Sequence, residues 1–166
     1  MSGSFRVFCR QWLVLLVTLA VGCGSKGDGL VKQAVTGVVK INGVPRKGVI
    51  VSFWHTDPDV KGNAAEPVSA TDEEGRFSLS TNGTQDGAVA GEYIVTFSWP
   101  DKSGAVDFLR NKYSNRQKSE FRVTVGEGDQ ETLPFELTAK TEDVDAALAD
   151  QEKKKAMLTQ PTKRKR

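Results

Sequence analysis

Between Gly91 and Trp99 the chain alternates strictly: Tyr93, Val95, Phe97 and Trp99 fall on one side, Glu92, Thr96 and Ser98 on the other. A period of two kept over this length, in aromatic and β-branched types, marks a strand buried on one face. Such a strand requires a second layer to cover its apolar side. The Gly-bounded loop at residues 86–91 leads into it, and the opposite face, with Thr96, is expected to be solvated.

Shorter alternations recur on both sides. Residues 35–41 end at Asn42-Gly43, a dipeptide favoured in hairpin turns because both residues tolerate positive φ. Residues 48–54 set Val49, Val51 and Phe53 against Ile50, Ser52 and Trp54. Residues 67–71 form a weak strand, and Asp72-Glu73-Glu74-Gly75 turns the chain into residues 76–80, with Phe77 and Leu79 inward. Val106, Leu109 and Tyr113 have the spacing of a single helical turn. Two further strands follow, carrying Phe121, Val123 and Val125, then Leu133, Phe135 and Leu137, with Pro134 marking an edge or bulge. Seven short strands in about 105 residues is the spacing of an all-β antiparallel sandwich.

The flanks read differently. Arg6 and Arg10 precede an apolar run at residues 12–21. That run is too short for a bilayer span of about 20 residues and suits a signal h-region. It ends in Ala20-Val21-Gly22-Cys23, which resembles a bacterial lipobox. The resemblance implies a signal peptide at 1–22 and a Cys23 that is linked to diacylglycerol, becomes the new N-terminus and is acylated. Removing 1–22 also removes Cys9 and leaves one cysteine, so the mature chain has no internal disulfide. After Cys23, residues up to 34 are Gly-rich and polar, a flexible linker.

Residues 139–166 form a charged tail without aromatics, disordered or partly helical up to about Leu158. Its basic end, Lys163-Arg164-Lys165-Arg166, suits anionic lipid or an envelope polymer. The chain's net charge is +2. Residues 24–138 are mildly acidic, 13 Lys+Arg against 16 Asp+Glu, and the tail is basic, 8 against 5. Neither value fits a nucleic-acid-binding domain.

Several motifs together carry a family resemblance. Val35-Thr36-Gly37-Val38-Val39 with Asn42-Gly43-Val44-Pro45, then Thr71 to Leu79, Asp86-Gly87-Ala88-Val89, Gly91-Glu92-Tyr93 and Lys112-Tyr113 resemble the carboxypeptidase regulatory-like domain found in small bacterial lipoproteins. The resemblance covers residues 35–138 and implies a seven-stranded transthyretin-like (prealbumin-like) sandwich. Fold does not decide function.

Side-chain chemistry points away from catalysis. Hydrolytic and metal chemistry usually needs His, Cys or clustered carboxylates, and this chain has one His, His55, beside Asp57 and Asp59. His55 reads as a loop histidine, and the Asp72 cluster, lacking the ligand spacing of a calcium loop, as a turn. No metal, cofactor or catalytic residue is expected. The expectation is a non-catalytic cell-envelope lipoprotein, a binding or structural module held to the membrane by lipid on Cys23, with an envelope polysaccharide or protein as partner. The alternative is a carbohydrate-binding accessory module using Trp54, an amphipathic aromatic off the core face.

Overall fold

The computed structural model describes residues 29–128 and 133–159. The signal segment at 1–22, Cys23, the start of the linker and the basic end at 163–166 lie outside the described residues. Those described are mostly strands, in several sheets, with one C-terminal helix: β1 (Lys32–Gln33), β2 (Thr36–Ile41), β3 (Val44–Pro45), β4 (Ile50–His55), β5 (Val68–Ala70), β6 (Arg76–Ser78), β7 (Ala88–Val89), β8 (Gly91–Ser98), β9 (Arg122–Val125), β10 (Leu133–Leu137) and α1 (Thr141–Thr159). A short 3-10 turn, Gly62–Ala65, interrupts the loop after β4.

One four-stranded sheet runs β5-β4-β8-β9, antiparallel throughout. The other is built on β2, which pairs with β3, β6 and β10. The β10–β2 pairing is parallel, correcting the expectation of a wholly antiparallel fold. The chain leaves β9 in one sheet and enters β10 in the other. β10 lies at a sheet edge, where Pro134 costs no interior ladder bond. At the β2–β3 hairpin Asn42 and Gly43 take φ values of 53° and 78°, as the two-residue turn requires.

Both sheets feed one core. Val49, Val51 and Phe53 of the β4 segment and Tyr93, Val95, Phe97 and Trp99 of the β8 segment are all buried. Across the layers Phe97 meets Phe135 at 5.0 Å between ring centroids, and Phe53 meets Phe77 at 6.3 Å. The alternation in the sequence thus selects the inward face.

The structure departs from the sequence reading at four further points. The linker ends before residue 34: β1 pairs with β7, Lys32 forms an ion pair with Asp86 at 3.0 Å, and the Gln33 side chain accepts the Gly128 N–H. Val106, Leu109 and Tyr113 form no helical turn. Instead the Asp107 carboxylate accepts the backbone N–H groups of Trp99, Leu109 and Asn111, and Arg110 and Asn111 adopt φ of 55° and 56°. Thr96 is 4% exposed, because the Trp54 side chain lies across it. Finally, α1 is docked at its start: Asp143, Val144 and Ala147 are buried, the latter two in the core. Its later residues, 152–159, are exposed.

Candidate functional site

Trp54 ends the outer face of β4. Its indole N–H donates to Thr96 Oγ1 at 2.8 Å, and the guanidinium carbon of Arg116, from the loop before β9, lies 5.4 Å from its ring centroid. The ring is half-buried, with its polar handle satisfied and one face shared with a cation. Thr96 and Arg116 escaped the sequence reading, since neither hydroxyl acceptor nor stacking cation has a local signature. With this packing, Trp54→Ala is expected to cost about 2 kcal/mol, below the range for a fully buried Trp. Thermal unfolding checks it: loss of retention on a glycan resin at an unchanged melting temperature would instead make Trp54 a ligand platform.

His55 is committed on both nitrogens. Nδ1 accepts the Asp57 N–H at 3.0 Å, which leaves Nε2 to donate towards Ala90 O at 3.4 Å. Its ring stands edge-on to Tyr93 at 4.8 Å and rests on Gly91, where a Cβ would collide with the imidazole. Asp57 in turn accepts the Asp59 N–H. The three residues build a loop. Among the described residues no group of three or more His, Cys, Asp or Glu is placed to hold a metal ion.

The acidic cluster at 72–74 is a turn as well. Asp72 Oδ1 accepts the N–H groups of Glu74 and Arg76, at 3.0 and 2.8 Å. Arg76 pairs with Asp72 and Glu74, and Lys47 with Glu73. Gly75, at φ 71°, would bring a Cβ within 2.6 Å of Val39 O, so glycine is required there.

Lys112 and Tyr113 act as a clasp. Thr138 N donates to Tyr113 Oη at 3.0 Å, Lys112 Nζ donates to Thr138 Oγ1 at 2.7 Å, and Phe97 N donates to Tyr113 O at 3.0 Å. The pair thereby ties the end of β10 to β8. Arg110 continues this line to the helix: its Nε donates to Asp143 Oδ1 at 2.8 Å, with the carboxylate buried.

Two carboxylates of this framework carry a pH dependence. For Asp86, burial on its own would raise the pKa, but the N–H groups of Thr81, Gly83 and Asn82 and the Lys32 ammonium outweigh it and hold the group below its ordinary 3.8. Asp143 is lowered chiefly by the hydrogen bond from Arg110. A folded value below the unfolded one means that the unfolded chain binds more protons in acid. Stability is therefore full above the ordinary carboxylate range and is lost as pH falls through the lowered folded values. Melting temperature is expected to be flat near neutrality and to drop below about pH 4, less steeply in Asp86→Asn. A profile that is flat down to pH 2 would contradict it.

Cys23 lies outside the described residues. Among those described, no helix is long and apolar enough to cross a membrane. No protein-family model matches the chain, and no curated protein matches it.

Proposed function

We propose that the chain is a bacterial cell-envelope lipoprotein: a non-catalytic binding or structural module with a transthyretin-like sandwich, held to a membrane by lipid on Cys23. The observation that carries it is the short apolar run closing on Ala20-Val21-Gly22-Cys23. The placement of the chain's two flanks supports it. β1 sits beside β7, where β8 begins, while α1 reaches the other end of β8, with Gln151 donating to Lys47 O and Lys102 N to Asp150. Eight strand residues separate the two ends, about 25 Å at strand rise. A tether entering at β1 would hold the domain by one pole and turn α1 away from the bilayer. The side chains that the sequence offers for chemistry, His55 with Asp57 and the cluster at Asp72, are held in loop and turn contacts, which suits a module that binds or supports.

The test is detergent phase partition of the wild type and Cys23→Ser expressed in a bacterial host. Wild type is expected in the detergent phase and the variant, equally folded, in the aqueous phase. One acyl chain holds a protein marginally, whereas two or more anchor it stably. Wild type in the aqueous phase would overturn the proposal.

A further inference from the structure

The loop after β8 holds two consecutive non-glycine residues in the left-handed region, Arg110 at φ 55° and Asn111 at φ 56°. Asn tolerates that conformation, whereas for Arg it is a strained one. Asp107 imposes it: its carboxylate accepts the N–H groups of Leu109 and Asn111, and its carbonyl accepts the Arg110 N–H at 2.9 Å. Between this loop and the segment 138–143 lies an open depression of about 420 Å³, lined by Phe108, Arg110, Lys112, Thr138, Lys140 and Asp143. Phe108 N donates to Trp99 O at 2.9 Å, which sets the depression at the end of β8 away from β1.

Three cations line the depression against one carboxylate, and that carboxylate is already committed. Asp143 is buried, and its Oδ1 accepts both Nε and Nη2 of Arg110. The guanidinium itself stays 71% exposed, with Nη1 bonded to no group among the described residues. Lys112 Nζ donates to Thr138 Oγ1 at 2.7 Å and keeps two further hydrogens to offer. Lys140 meets Glu142 only at 3.7 Å, with both side chains largely exposed, and such a pair is worth little. Even with Glu142 counted, three cations face two acids. The turn at 72–76 is different, since there Arg76 bonds Asp72 and Glu74 directly. The half-buried Phe108 and Ala139 add an apolar wall to the depression.

We propose that this depression binds a uronic acid unit of an acidic polysaccharide. The carboxylate of such a unit accepts charge-assisted hydrogen bonds from Arg110, Lys112 and Lys140, while the C–H face of the ring rests on Phe108 and a hydroxyl reaches Thr138. An apolar wall with a few convergent polar groups is the usual make-up of a ligand site, and the volume suits one sugar unit. A single charge per unit matches the small positive excess, and an open depression lets the polymer continue on either side. Position argues against a headgroup of the chain's own bilayer, because a tether entering at β1 holds the opposite end of β8 towards it. The inference names a ligand class for the binding-module reading and rests on that reading, though not on the lipid anchor.

The experiment titrates the full-length chain, isotope-labelled in zwitterionic detergent micelles, with digalacturonate, with its neutral dimethyl ester and with inorganic phosphate. Saturable shifts of the Lys112, Thr138 and Lys140 amide resonances are expected with digalacturonate alone, and they weaken as salt is raised. Lys140→Gln leaves every buried contact in place and is expected to weaken binding about fivefold, the upper end for an exposed charge pair. Glu142→Gln removes the acid beside Lys140 and is expected to strengthen binding about twofold. An equal response to the ester or to phosphate, a response confined to residues 163–166, or unchanged binding in Lys140→Gln would overturn the proposal. Such a failure in a chain that still partitions into detergent removes the uronate site and leaves the anchored module. Saturable binding in a chain without lipid would do the reverse.

Discussion

Val95→Asp is expected to abolish folding. Val95 is fully buried at the centre of β8, opposite Phe53 on β4. The substitution forfeits the burial of a Val side chain, about 1.5–3 kcal/mol, and adds an uncompensated carboxylate whose neutralisation or desolvation costs several kcal/mol more. Together these match the whole stability of a typical domain, about 5–15 kcal/mol. Circular dichroism and soluble yield read the outcome; a soluble variant that melts with the wild type would refute the strand register. Thr96→Asp, one residue on, is expected to be damaging as well. It places a carboxylate in a buried position and replaces the hydroxyl that accepts the Trp54 indole N–H.

Ending the chain after residue 139 is expected to lower stability by about 3 kcal/mol and the melting temperature by about 10 °C. The truncation strips Val144 and Ala147 from the core, parts Arg110 from Asp143, and frees Lys47 O of the Gln151 amide. Ending it after residue 151 keeps all three contacts, and that chain is expected to melt within a few degrees of the full one. Equal melting of the short and long truncations would show that α1 adds nothing to the domain.

The strands were legible wherever one face is apolar and the other polar, because the two-residue period then encodes burial directly: Val49, Val51, Phe53, Tyr93, Val95, Phe97 and Trp99 all point inward as read. The Asn42-Gly43 turn was legible for a local reason, the backbone freedom of those two residues. What remained hidden depends on contacts between distant segments. Thr96 is small and polar and reads as solvated until Trp54 is laid across it. Asp143 belongs to an acidic first turn that reads as surface, and it is buried because Arg110, thirty-three residues earlier, reaches it. The parallel entry of β10 follows from how the chain divides its strands between two sheets, which no single segment encodes. Of the proposed functional residues, Trp54 stood out by type alone, and its environment has to be read from the fold.

The most direct measurement on the proposed function is mass spectrometry of the N-terminal peptide of the protein recovered from bacterial membranes. The expected result is a chain that starts at Cys23 and carries acyl chains on it, with residues 1–22 gone. A chain that retains residues 1–22, or one whose Cys23 is unmodified, would contradict it.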